Sequence, residues 1–323
     1  MSEDLKNSEV FIIAGPCSIN EDNFYELFQL ASMEVRNAKG ITQRAISGLR
    51  VVGLKSRTYY TPDGKDLGID YSHYLQNLSV FQQGGGIKDL VMMPGIEMAN
   101  QVADETGLLV ATEIVSALIQ VPLYERLLKD KTMLLWNPAV SQIGWHLLEM
   151  TQFIKNTNWK LGLKNPKWQG KQKYDTVHLT ELSSMEKTWL GLSSYVSDLK
   201  ERVIFIHRGV SILESGMYRN MPLHESAKKI KKITGAKMYF DPSHSFGPKL
   251  RDKIVDGTLN AMKMMFSDDE YLYDGMLLEA GSSRTDSGQH ITHIELQRLV
   301  NELSKFRNIA APESDKVYKV KSS

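Results

Sequence analysis

Eight short β-rich runs recur along this chain with helical patterns between them, and that alternation restricts the fold more than any other feature of the sequence. The runs are 10–16, 50–55, 108–114, 132–137, 161–165, 203–207, 237–241 and 275–279. Most are almost continuously apolar, as strands covered on both faces are, and their alternation with helices points to a parallel α/β architecture. Helical spacing is read at 23–36, 96–105, 123–128, 145–154, 227–233, 254–265 and 294–306. Eight strands with about as many helices fit a closed (β/α)8 TIM barrel better than an open sheet. Neither GxGxxG after the first strand nor GxxxxGKS/T is present, which removes the two commonest open-sheet nucleotide sites. The expectation is one barrel over 1–323 with insertions near 58–95 and 166–199 and a polar tail from about 310.

Bulk properties narrow the function classes. A chain of 323 residues is large enough to bury roughly 75% of its unfolded surface. The formal net charge is +1 and no basic stripe interleaved with aromatics occurs, so nucleic acid is not an expected partner. No run of about 18 apolar residues is present to span a bilayer. Residues 1–9 are polar and acidic and read as neither a secretory signal nor a transit peptide. A cytoplasmic protein is expected. The single cysteine, Cys17, excludes an internal disulfide framework and is packing, a thiol nucleophile or a metal ligand.

In a TIM barrel the chemistry gathers at the C-terminal ends of the strands, and polar residues follow nearly every predicted strand. Cys17 follows the first, Arg50 and then Lys55, Arg57 and Thr58 belong to the second, and Glu113 ends the third. Lys164 lies on the fifth, Arg208 follows the sixth, His244 follows the seventh, and Glu279 with Asp286 comes at or after the eighth. Cys17, His244, Glu279 and Asp286 together offer a thiolate, an imidazole and two carboxylates, a donor set suited to a divalent transition metal. Arg50, Lys55, Arg57, Lys164 and Arg208 form a cationic set whose mutual repulsion an anionic ligand such as phosphate or carboxylate would offset.

These motifs resemble those of a known family. Ala14-Gly15-Pro16-Cys17-Ser18, Asp241-Pro242-Ser243-His244-Ser245 and Glu279 with Asp286-Ser287-Gly288-Gln289 are similar to the metal site of class I 3-deoxy-arabino-heptulosonate 7-phosphate (DAHP) synthases. The run from Arg50 to Lys55, Arg57 and Thr58 resembles that family's second-strand signature. The resemblance implies one divalent metal of the manganese, iron, zinc or cobalt class, held by Cys17, His244, Glu279 and Asp286. It also implies phosphoenolpyruvate on Arg50, Lys55, Lys164 and Arg208, and an aldose phosphate, erythrose 4-phosphate, on Arg57 and Thr58. Lys55 and His244 would be catalytic, with Glu113 positioning water. A homo-oligomer, dimer or tetramer, and a place at the start of the shikimate route to aromatic amino acids are expected on the same ground.

Three departures stand beside the resemblance. Where the family shows Gly-Ala-Arg after the fourth strand, this chain reads Trp136-Asn137-Pro138-Ala139-Val140. That segment is similar to the Pro-Ala-Phe of the sister 3-deoxy-manno-octulosonate 8-phosphate synthases, whereas the second strand is not. Glu279 and Asp286 are also closer in sequence than the family pattern has them. A Schiff-base aldolase using Lys164 or Lys55, and a non-catalytic barrel that binds a phosphorylated metabolite, are the other readings these residues allow.

Overall fold

The computed structural model describes residues 8–37, 39–53, 57–60, 66–70, 72–90, 92–167, 182–283 and 286–311. Eight parallel strands close into a barrel: β1 (Glu9–Gly15), β2 (Gly48–Arg50), β3 (Leu109–Glu113), β4 (Met133–Trp136), β5 (Lys160–Lys164), β6 (Val203–His207), β7 (Lys237–Phe240) and β8 (Gly275–Glu279). Each strand pairs with its sequence neighbour. Closure comes from β8 on β1, in register from Phe11 opposite Gly275 to Gly15 opposite Glu279. Eight helices follow the strands in turn: α1 (Glu26–Ala31), α2 (Met93–Thr106), α3 (Ala117–Leu128), α4 (Gly144–Ile154), α5 (Ser184–Ser194), α6 (His224–Thr234), α7 (Ile254–Met262) and α8 (His293–Leu303). The predicted TIM barrel is therefore the fold.

Strand alternation sorts the core into two layers. Val10, Ile12 and Ala14 of β1 face the helices, in the larger cluster with Leu27, Leu30 and Leu299. Phe11 and Ile13 turn into the barrel, where Leu109, Ala111, Leu134, Trp136, Ile204, Ile206, Tyr239 and Leu277 fill the interior. Below α8 the chain crosses the barrel floor. Asn308–Ile309 adds a short parallel pairing to β1, Arg307 donates to the carbonyls of Tyr273 and Glu9, each at 2.7 Å, and Ser47 Oγ donates to Ala310 O at 2.7 Å.

Several boundaries differ from the sequence expectation for identifiable reasons. The second strand is Gly48–Arg50 instead of 50–55, so Arg50 ends it. Gly53 packs so tightly on Gly95 that an added Cβ would lie 2.7 Å from the Gly95 Cα, and residues 54 and 55 of the expected strand lie outside the described residues. The helix expected at 23–36 stops at Ala31. Glu34–Arg36 instead pairs antiparallel with Thr42–Arg44, because Asn37 Oδ1 accepts the amides of Lys39 and Ile41, each at 3.0 Å, and Gly40 takes positive φ. In the first long connection Arg57–Tyr60 pairs with Asp66–Asp70 and the helix Ser72–Gln82 follows. The second, 166–199, supplies α5, started by a Ser183–Glu186 capping box. The tail from 312 lies outside the described residues.

One outer-layer cluster has a consequence for pH. Tyr273 OH bonds His207 Nδ1 at 2.8 Å and His224 Nδ1 at 2.7 Å. Burial lowers the His224 pKa to about 4 and holds His207 well below its ordinary value, with His224 and Arg208 adding to the effect. Between pH 6.5 and about 4 the unfolded chain takes up the His224 proton that the fold refuses, so acid lowers stability across that window. In His224→Gln the slope of unfolding free energy against pH there is expected to flatten by up to about 1.4 kcal/mol per pH unit. An unchanged slope in urea unfolding would show that His224 titrates normally in the fold.

Candidate active site and metal centre

At the C-terminal mouth of the barrel, buried charges meet. Arg50 has no exposed surface, and its Nη2 lies 3.0 Å from Glu279 Oε1. Its Nε and Nη2 also donate to the carbonyls of Pro16 and Cys17, at 3.1 and 3.3 Å. Gly15 lets the Arg50 main chain pack against β1, because a Cβ there would fall 2.6 Å from Arg50 O. Burial opposes the guanidinium charge, but Glu279, Cys17, Asp241 and Glu113 outweigh it and raise the Arg50 pKa. Arg50 Nη1 is buried with no hydrogen-bond partner among the described residues.

Lys164 ends β5 and is equally enclosed, with Nζ 3.0 Å from Asp241 Oδ2. Burial lowers its pKa while Asp241 works in the opposite direction. Both cations stand over the Trp136 ring, Arg50 at 5.3 Å and Lys164 at 5.2 Å from its centroid, so its electron-rich face supports them. Trp136 Nε1 in turn donates to Glu113 Oε2 at 3.3 Å, which places that carboxylate in the same mouth.

Arg208 differs from the other two. It is 3% exposed and has no carboxylate in ion-pair reach among the described residues. Its backbone amide donates to Asn165 Oδ1 at 2.7 Å, and its Nη1 donates to the neutral Asn220 Oδ1 at 3.1 Å. Burial, followed by the nearby Arg219, lowers its pKa to about 10. His207, its neighbour, points to the helix layer as strand alternation requires.

Three of the four expected metal donors gather in one group, and the fourth, Cys17, adjoins them at Glu279 and Asp286. His244 Nε2 lies 3.7 Å from Glu279 Oε1, and Cys17 Sγ lies 3.7 Å from Asp286 Oδ2. His244, Glu279 and Asp286 each place one donor atom within 4.8 Å of the others. Two metal–donor bonds of about 2.0–2.3 Å put ligand atoms roughly 3–4.5 Å apart, so the cluster fits a divalent cation. The short helix Pro242–Phe246 presents His244, and Asp241 at its N-cap accepts the His244 amide at 3.2 Å. Asp241 also takes His244 Nδ1, at 2.9–3.0 Å, which leaves the Nε2 lone pair for a metal. Burial lowers the His244 pKa to about 4 against the pull of Asp241 and Glu279, so the ring is neutral at pH 7. For Asp241, burial would raise the pKa, but His244 and Lys164 hold the carboxylate well below its usual range. Asp286 has φ 49°, the one positive value outside glycine among the described residues, a conformation that clusters at functional sites.

Not every expected site residue can be placed. Lys55 lies outside the described residues, and only the backbone of Arg57 and Thr58 is described. Other residues enter the site without having been anticipated from the sequence. Arg219, on the connection after β6, pairs with Asp286 Oδ2 at 3.3 Å and donates to Gln289 Oε1 at 2.5 Å. Asp241 and Trp136 were legible only as part of a motif and of a core strand. His290 joins Cys17 and Glu279 in a second three-donor group.

No family model matches the sequence, and no curated protein matches it by sequence. Solved structures do resemble it. A truncated form of 3-deoxy-D-arabino-heptulosonate 7-phosphate synthase from Thermotoga maritima superposes with a TM-score of 0.61 at 18% identity, covering 94% of this chain and 90% of that one. The phospho-2-dehydro-3-deoxyheptonate aldolase (DAHP synthase) from the same organism gives 0.62 at 20% identity, over 94% of this chain and 72% of that one. At such identity the likeness is one of fold, and it is the fold of the enzymes whose motifs this sequence resembles.

Proposed function

We propose that this chain is a metal-dependent synthase that condenses phosphoenolpyruvate with a phosphorylated aldose, erythrose 4-phosphate by preference. The reading makes it a DAHP synthase, a cytoplasmic transferase that opens the shikimate route. The observation that carries it is the junction of a Cys–His–Glu–Asp donor cluster with three buried cations through one ion pair, Arg50 to Glu279. Arg208, buried without a carboxylate partner among the described residues, and the Nη1 donor of Arg50 are suited to the phosphate and carboxylate of phosphoenolpyruvate. A divalent metal held by Cys17, His244, Glu279 and Asp286 would supply Lewis acidity toward the aldehyde oxygen.

The reaction forms a bond between the phosphoenolpyruvate methylene carbon and the aldehyde carbon. Water adds at the enol carbon, the link to phosphate breaks, and inorganic phosphate leaves. Arg50, Lys164 and Arg208 hold the enolpyruvyl end over Trp136, and Glu113, fixed by the Trp136 indole, orients the attacking water. Lys55 would donate a proton to the developing alkoxide, and Arg57 and Thr58 would hold the aldose phosphate, roles that rest on the motif resemblance. The Schiff-base alternative has one observation in its favour, since burial lowers the Lys164 pKa although Asp241 at 3.0 Å opposes the shift. The alternative octulosonate reading has one observation in its favour: Pro138-Ala139-Val140 follows Trp136 where the heptulosonate enzymes carry an arginine. A homo-oligomer belongs to the same proposal, supported by the exposed Leu118, Trp145 and Leu148 of the neighbouring helices α3 and α4.

Calorimetric titration of phosphoenolpyruvate tests the anion site without requiring turnover. Arg208→Ala is expected to weaken binding by about 2–4 kcal/mol, roughly 30- to 1000-fold. Its melting temperature should hold or rise, because an uncompensated buried charge is removed. Unchanged affinity with a lower melting temperature would make Arg208 a structural residue. Cys17→Ser is expected to lose metal and turnover together while the fold persists. Activity retained by the metal-free Ser variant would remove Cys17 from the donor set.

A further inference from the structure

We propose that His290 is a fifth protein donor to the metal centre, opposite His244 across the Glu279 carboxylate; the inference rests on the metal-dependent reading above. Glu279 lies between two imidazoles. Its Oε1 is 3.7 Å from His244 Nε2, and its Oε2 is 3.7 Å from His290 Nε2. A charge-assisted hydrogen bond between a ring and a carboxylate spans about 2.7–2.9 Å, so neither contact is one. The spacing of 3.7 Å is instead that of two donors on one cation.

Tautomer geometry supports the same assignment. His290 Nδ1 lies 3.0 Å from the carbonyl oxygen of Gly281. A carbonyl can only accept, so the proton belongs on Nδ1 and the Nε2 lone pair faces Glu279. His244 is fixed in the same way by Asp241, the arrangement that prepares imidazoles for metals. Cys17, Glu279 and His290 are all buried and place their donor atoms within 4.8 Å of one another. Glu279 also belongs to the group with His244 and Asp286, and Cys17 Sγ lies 3.7 Å from Asp286 Oδ2, so the two groups adjoin through shared and neighbouring donors.

The backbone explains why His290 reaches the site. The connection leaves β8 at Glu279 and returns beside it, with Ile291 N donating to Glu279 O at 3.1 Å and Gly281 N to Ile291 O at 3.0 Å. This closed loop delivers both Asp286 and His290 to the mouth just before α8, and Gln289 Nε2 donates to Glu279 Oε2 at 2.5 Å.

Cobalt(II) titration of the full-length apoprotein, with affinity from chelator competition, tests the assignment. His290→Gln is expected to bind cobalt about 10- to 100-fold more weakly. Its visible d–d bands should change while the thiolate-to-cobalt charge-transfer band persists. Identical affinity and spectrum in the variant would overturn the role of His290 and leave the rest of the centre standing. Absence of cobalt binding in the unaltered protein would overturn both His290 and the metal-dependent reading. Paramagnetic proton NMR of the unaltered cobalt protein avoids any folding defect in the variant. Two exchangeable, strongly shifted imidazole N–H signals are expected, from His244 and His290, and a single one would contradict the proposal.

Discussion

The buried ion pair between Arg50 and Glu279 is the contact on which the rest of the mouth depends. It ties the end of β2 to the end of β8 across β1, whose last glycine lets the Arg50 main chain pack against it. Glu279 shares the same carboxylate with the metal donors, while Arg50 shares the Trp136 face with Lys164. Removing one partner would strand a charge in a dry site, at a cost of about 3–5 kcal/mol. Such a pair adds little net stability when intact. Its value is positional, since it fixes the candidate metal donors and the buried cations relative to each other.

Barrel order distributes the two halves of the chemistry. The candidate donors Cys17, His244 and Glu279 come from the ends of β1, β7 and β8, which are consecutive around the closed sheet. The cations Arg50, Lys164 and Arg208 come from β2, β5 and β6, with Glu113 on β3 and Trp136 on β4 filling the arc between. Each strand thus contributes at least one group to the mouth. In the mouth Arg50 and Lys164 each face a buried carboxylate, whereas Arg208 has none in ion-pair reach among the described residues and stands where an anionic substrate would complete the balance.

Much of this was legible in the sequence because a parallel barrel is written in near-continuous apolar runs and places strand-end residues together. The eight strands appear in order, and Cys17, His244, Glu279 and Asp286 meet although they are scattered over most of the chain. What escaped has physical causes. The end of the first helix was decided by Asn37 and Gly40 turn chemistry, which a helical apolar spacing conceals. Trp136 reads as core in a sequence, and only its geometry beneath Arg50 and Lys164 reveals its support of charge. Arg219 and His290 sit on connections, where no periodicity predicts which side chain turns inward. The short spacing of Glu279 and Asp286 looked unfavourable, yet a loop that folds back onto Glu279 brings Asp286, in its left-handed conformation, to Cys17.

The most direct test of the central claim is the loss of phosphoenolpyruvate ultraviolet absorbance in metal-loaded protein offered erythrose 4-phosphate or arabinose 5-phosphate in parallel, with and without chelator. The account predicts chelator-sensitive consumption with the four-carbon sugar and release of one inorganic phosphate per phosphoenolpyruvate consumed. Consumption with the five-carbon sugar alone would move the chain to the octulosonate branch. No consumption with either sugar, in protein shown to hold metal, would contradict the assignment of this barrel as a phosphoenolpyruvate-dependent synthase of these sugar acids.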